Sequence, residues 1–347
     1  MRFERKPERG MLMNRVTVLG AGTWGTALSI LLCRNGHEVS LWSKLEREVA
    51  ALNENREVIP NLPGAKLPKE VRVTGSLEEA LSEPDLVVFA VASPYVRETA
   101  KLSAPLIRPG QIVVNAGKGI EGSTLETLTH VIMDELPEAD VAVMSGPSHA
   151  EEVSRGIPTT CVVGASTKET AVFIQDIFMC EFFRVYTNPD ISGIELGGSI
   201  KNVIALAAGV ADGLGFGDNT KAALMTRGIA EITRLGIAMG CRADTFSGLS
   251  GIGDLIVTCT SRHSRNRNAG YLIGQGRTPD EAMKEVNQVV EGVYCAKAAL
   301  ALSKKYHVQM PIIEQVNLVL FEGKDPRTAV SDLLLRGRTT ENGSMEW

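Results

Sequence analysis

Lys201 is the only charged residue in the stretch Leu196–Val210 (LGGSIKNVIALAAGV). A lysine withdrawn from water has its pKa lowered toward the range of an acid/base catalyst. The apolar positions Ile200, Val203, Ile204 and Ala207 recur at three and four residues, as a buried helical stripe does, and Lys201 lies beside that stripe. Gly197, Gly198, Ala205 and Ala208 surround it with small side chains, which leaves room for a ligand or for a second backbone. The alternative is a lysine that snorkels to solvent from an ordinary core helix.

A second signal is Gly20-Ala21-Gly22-Thr23-Trp24-Gly25, which follows the apolar run VTVLG and opens the apolar pattern TALSILLC. Glycines there permit a tight turn, close approach of a pyrophosphate and tight helix–strand packing, while the helix N-terminus offers N–H donors to the anion. The context of strand, turn and helix is the one this motif requires for a dinucleotide. No acidic residue closes the next strand, which ends Leu41-Trp42-Ser43-Lys44. Ser43, Lys44 and Arg47 suit a ribose 2′-phosphate instead, or are solvated loop residues. NADPH is expected to be accepted, with NADH left open.

Three further groups complete the candidate chemistry. Lys118 stands between two glycines in Asn115–Gly119, and Ser148 and His149 follow the Gly146-Pro147 turn. Asp254 is the one carboxylate of the run Gly248–Val257, as a site residue or merely a helix cap. Arg262, Arg265 and Arg267, interleaved with Ser264 and Asn266, suit a phosphate. Lys201, with Lys118 lowering its pKa and Asp254 orienting it, suits proton transfer to a carbonyl undergoing hydride reduction.

The elements that must position these groups fall into two patterns. From Arg15 to about Ala165, short β-branched runs alternate with helical patterns, as in a doubly wound parallel sheet. Strands are expected at Val16–Leu19, Glu38–Leu41, Val71–Thr74, Leu86–Ala92, Ile112–Asn115 and Val141–Met144, with Thr159–Val163 and Arg184–Tyr186 at the edge. Helices are expected at Gly25–Asn35 and Leu77–Leu81. Ligands bind outside the carboxyl ends of such strands, where Lys118 and Ser148 fall. Residues 191–335 read as helical almost throughout, jointed at the glycines of 213–217, 248–253 and 274–276. The expected organisation is an α/β Rossmann-type domain over 14–189 and an all-helical substrate domain over 190–337. Tails are expected at 1–13 and 338–347.

Composition bounds the function class. The chain has 347 residues, 44% hydrophobic and 22% charged, with a net charge of −5, which argues against nucleic-acid binding. Six cysteines without CxxC or Cys/His spacing give no metal site and suit a reducing cytoplasm. The N-terminal MRFERKPERGMLMNR is not a signal peptide, and Met11 and Met13 are alternative starts. No apolar run is expected to approach the length of a membrane span.

GAGTWGTAL, NAGKG, SGPSHAEE, RVYTNPD, ELGGSIKNVIALAAGVADGLGFGDN, GLSGIGDLIVTCTSRHSRNR and VVEG occur in order between Asn14 and Arg336. In these motifs the sequence resembles the bacterial NAD(P)-dependent glycerol-3-phosphate dehydrogenases. The resemblance implies reversible reduction of dihydroxyacetone phosphate to sn-glycerol 3-phosphate, a phospholipid precursor, by a cytoplasmic, often dimeric enzyme. It makes Lys201 the general acid/base, with Lys118 and Asp254 beside it. It places Lys118, Gly146, Ser148, Asn202, Asp254, Thr258, Ser264, Arg265 and Asn266 around the substrate. Thr23, Trp24, Lys44, Lys118, Ala150, Arg265, Val289 and Glu291 join the glycines 20, 22 and 25 around the dinucleotide. Gly117, His149 in place of a usual Phe, and Lys44 depart from the commonest pattern.

Two rival readings remain at this point. A related dehydrogenase of β-hydroxy acids would turn over a carboxylate and ignore loss of Arg265. A redox-sensing protein would bind the nucleotide without needing Lys201 or Asp254.

Overall fold

The computed structural model describes residues 13–58, 62–338 and 340–341. The expected N-terminal tail therefore lies, apart from Met13, outside the described residues, as does most of 338–347.

The strands are β1 (Arg15–Leu19), β2 (Glu38–Trp42), β3 (Arg72–Thr74), β4 (Leu86–Phe89), β5 (Ile112–Asn115), β6 (Asp140–Ser145), β7 (Thr159–Gly164) and β8 (Phe183–Asn188). They form one sheet in the order β3-β2-β1-β4-β5-β6-β7-β8. Alternation along β4 shows why the chain folds this way. Leu86 and Val88 join the core on one face of the sheet, and Val87 and Phe89 join the core on the other. A strand buried on both faces is a continuous apolar run, which is the reading its sequence invites.

Two details differ from expectation. β4 ends at Phe89, and Ala90–Ala92 leaves the sheet toward the turn Ser93–Tyr95. The sheet is also not wholly parallel. β1 to β6 pair in parallel, but β7 runs antiparallel to β6 and β8 runs with β7. Only the short helix Ala150–Val153 lies between β6 and β7, whereas the full helix Lys168–Phe178 crosses over between β7 and β8. A parallel return needs such a crossover; an antiparallel one does not.

After β8 the described chain is helical. Its central helix, Ile191–Gly213, is capped by Asp190, whose carboxylate accepts from Gly193 N at 3.0 Å. It is buried on every side, as an all-round apolar helix must be. An 18-residue window of this 23-residue helix has a mean hydropathy of 1.3, long and apolar enough by length and composition to cross a membrane, contrary to the expectation from sequence. That apolar window is entirely buried inside the protein, packed by the helices around it.

Candidate active site

The central helix is so well buried that Lys201 is only 4% exposed, which rules out the snorkelling alternative. Its Nζ donates to Asp254 Oδ1 at 2.6 Å and to Thr258 Oγ1 at 2.5 Å. The other oxygen of Asp254 accepts from Lys118 Nζ at 2.6 Å, and Lys118 also reaches Gly146 O at 3.1 Å. One carboxylate thus bridges two ammonium groups drawn from elements distant in sequence. Lys118 comes from the loop after β5, Lys201 from the central helix, and Asp254 from the first turn of the helix Asp254–Thr260.

Asp254 is not that helix's cap; its side chain is committed to the lysines. Two positive charges against one negative charge leave the cluster cationic, suited to an anionic or carbonyl oxygen. Burial pushes the Lys201 pKa down to about 8; Asp254 opposes that fall and Lys118 adds to it. Burial and then the two lysines push His149 down to about 4, so its imidazole is neutral near pH 7. Among the described residues, Ser145 Oγ and His149 Nε2 are buried without a partner. Both flank the Gly146 turn, where Ser148 Oγ also donates to Gly146 O at 3.1 Å. Unpaired buried polar atoms are costly, and a polar ligand held by the lysines would supply partners.

The phosphate cluster is smaller than the sequence indicates. Arg267 is tied to Asp212 at 2.6 Å and is thereby removed from it. Arg265 is exposed in the first turn of the helix Arg265–Gly274, whose N-cap is the buried Ser264, accepting from Arg267 N at 3.2 Å. Asn266 and Asn202 are joined side chain to side chain at 3.0 Å, and Gly292 N donates to Asn266 at 2.8 Å. Glu291, next to Val289–Val290, is half-buried and accepts from both the N–H and the hydroxyl of Ser93. Burial raises its carboxyl above the usual range.

Two family models match this chain. The N-terminal domain of NAD-dependent glycerol-3-phosphate dehydrogenase matches residues 15–171, and the C-terminal domain of the same family matches residues 190–331. The chain belongs to the NAD-dependent glycerol-3-phosphate dehydrogenase family. It is 61% identical over 335 residues to glycerol-3-phosphate dehydrogenase [NAD(P)+] of Agathobacter rectalis, covering 96% of this chain and all of that one. The counterpart in Fusobacterium nucleatum is 56% identical over 331 residues, 95% of this chain and 99% of its own. Among solved structures, glycerol-3-phosphate dehydrogenase of Coxiella burnetii superposes with a TM-score of 0.90 at 35% identity, covering 93% and 99% of the two chains.

The nucleotide loop fits the dinucleotide that the family name implies. Gly25 packs so closely that a Cβ there would lie 1.8 Å from Gly20 O, while at Gly22 no atom stands within 4 Å of where a Cβ would be. The helix Thr23–Arg34 starts without a side-chain cap, leaving its first N–H groups to a ligand. Trp24 Nε1 donates to Ala116 O at 3.0 Å and so joins this loop to the Lys118 loop. Ala150 opens the short helix beyond the Gly146 turn.

The 2′-phosphate group needs correction in one member. Ser43 is buried, donating to Glu48 at 2.6 Å and accepting from Leu45 N, so it is not free for a phosphate. Lys44 is exposed and paired with Glu98 at 2.6 Å. Of the two readings of the glycines beside Lys201, the structure favours close approach of neighbouring protein over room for a ligand. A Cβ at Gly197 would meet Ser250 O at 2.9 Å, and one at Gly198 would meet Ser145 Oγ at 2.7 Å. They admit neighbouring protein groups and do not leave open space for substrate.

Sequence reasoning missed Glu195 and Ser199. Both are buried on the central helix, and both bind the segments around Lys118. A carboxylate six residues before Lys201 in an apolar helix was the available signal.

Proposed function

We propose that the protein catalyses the reversible NAD(P)H-dependent reduction of dihydroxyacetone phosphate to sn-glycerol 3-phosphate, feeding glycerophospholipid synthesis in the cytoplasm. The observation that carries this reading is Asp254 bridging Lys118 and Lys201, each at 2.6 Å, at the carboxyl end of the sheet. Lys201 is the general acid/base. Its ammonium gives a proton to the carbonyl oxygen on reduction, and its neutral amine takes one from the alcohol on oxidation. A pKa of about 8 keeps both forms accessible near neutrality. Asp254 and Thr258 aim that ammonium, and Lys118 stabilises charge on the reacting oxygen.

Gly146, Ser148 and Asn202 line the three-carbon substrate, and Ser264, Arg265 and Asn266 take its phosphate at a helix N-terminus. Gly20, Gly22, Thr23, Trp24, Gly25, Lys44, Lys118, Ala150, Arg265, Val289 and Glu291 hold the dinucleotide. When bound, the nicotinamide supplies or accepts the hydride. The working form is proposed to be a homodimer.

The test is decay of NADPH or NADH absorbance with dihydroxyacetone phosphate. Lys201→Ala is expected to lower kcat by roughly 10²–10⁴-fold. Arg265→Ala is expected mainly to raise KM. Full activity in Lys201→Ala would remove that lysine from the mechanism.

A further inference from the structure

The central helix grips the segment that carries Lys118 from both sides. On one side, Glu195 Oε1 accepts from Asn115 Nδ2 at 3.0 Å, and Asn115 Oδ1 in turn accepts from Gly117 N at 2.9 Å. The same carboxylate accepts from Thr129 N at 2.9 Å and from the Thr129 hydroxyl. On the other side, Ser199 Oγ accepts from Gly119 N at 2.9 Å and donates to Gly119 O at 3.0 Å. Between the two grips, a Cβ at Gly198 would lie 3.8 Å from Lys118 Cγ, so the lysine stem runs along the helix at that point. The two residues flanking Lys118 are thus bound, directly or through Asn115, to the helix that bears Lys201.

We propose that Glu195, acting through Asn115, and Ser199 are positioning residues that clamp the Lys118 loop to the central helix and hold Lys118 on Asp254. This rests on the reaction proposed above. Packing alone does not call for such groups. A carboxylate and a hydroxyl, 4% and 1% exposed, cost desolvation that apolar side chains of similar volume would avoid. What they add is direction. Ser199 uses both its donor and its acceptor on one residue, which fixes the orientation of the Gly119 peptide as well as its distance.

The clamp has a readout that a packing role lacks. The titratable groups acting on Lys201 are Asp254 and Cys259 from the helix Asp254–Thr260, Lys118 from the loop after β5, and His149 from the Gly146 turn. If Lys118 drifts from Asp254, Lys201 loses a neighbouring cation and has more of the carboxylate to itself. Its pKa then rises.

The experiment follows the Lys201 titration by carbon NMR of isotope-labelled lysine in the full chain without nucleotide, the signal being assigned with Lys201→Arg. Lys118→Ala sets the reference, expected about one pH unit above the wild type. Ser199→Ala and Asn115→Ala are expected to move the titration the same way by at least half as much, and Ser199→Thr to restore it. The KM for dihydroxyacetone phosphate should rise about tenfold in the first two. An unchanged Lys201 titration in both variants, while Lys118→Ala shifts it, overturns the proposal. So does loss of folding or stability alone, which would assign both residues to packing. A wild type that titrates as expected but turns over no substrate would refute the proposed reaction and leave the clamp standing.

Discussion

At the scale of single residues, the site is a problem in holding charge out of water. Lys201 is buried and its pKa lowered to about 8, while the carboxylate that opposes this fall is shared with Lys118. Sharing prevents Asp254 from fixing Lys201 as a permanent cation. The consequence is a pH-dependent rate whose sign differs between directions. With Lys201 as the proposed acid, reduction needs the ammonium, so kcat/KM for dihydroxyacetone phosphate should fall as pH rises beyond about 8, approaching tenfold per pH unit. Oxidation needs the neutral amine and should rise over the same interval. Initial rates in both directions across pH 6 to 10, with Lys201→Ala beside them, test this. Parallel profiles in the two directions would refute the assignment.

At the scale of elements, the helices meet through glycine. A Cβ at Gly209 would lie 2.0 Å from Arg267 O, and one at Gly270 would lie 2.0 Å from Leu206 O. The backbones of Ile191–Gly213 and Arg265–Gly274 are therefore in direct contact, and Arg265 is placed relative to Lys201 by that contact. Alanine is the better helix former by about 1 kcal/mol, yet overpacking here should dominate. Gly270→Ala is expected to destabilise the protein by roughly 1–3 kcal/mol in urea unfolding and to raise KM through Arg265. A stabilised variant would show that the helices part without cost.

These contacts also mark how far the sequence could be read. Short β-branched runs and strand-end positions placed the strands, Lys118 and the Gly146 turn, because local pattern and sheet chemistry determine them. The reversal of β7 was not legible, since strand composition carries no direction. Nor was the commitment of Arg267 to Asp212, or of Ser43 to Glu48, because a polar residue's partner depends on elements distant in sequence or on how a loop closes. Gly197 and Gly198 left room for a ligand or for a second backbone. Only the packed structure distinguishes space from close approach.

At the scale of the whole molecule, buried ionisable groups couple folding to pH. Glu231 is 2% exposed and accepts from Ile312 N at 2.9 Å and Ile313 N at 3.4 Å, where its carboxylate meets the start of the helix Pro311–Phe321. Burial raises its pKa to about 7, and Glu195 is raised to about 7 for the same reason. For such an acid the folded state holds its proton over a range in which the unfolded state has lost it. The stabilisation is therefore fully present below the unfolded value near 4.5 and is lost as pH rises through about 7. Lys201 acts in the opposite range, since its lowered pKa removes stability as pH falls from 10.5 toward about 8. Glu231→Gln keeps an acceptor for Ile312 N and cannot ionise. Its melting temperature relative to the wild type should therefore rise by several degrees between pH 5 and pH 8, as measured by calorimetry. A difference that stays constant over that interval would show that Glu231 does not change its proton between the folded and unfolded states.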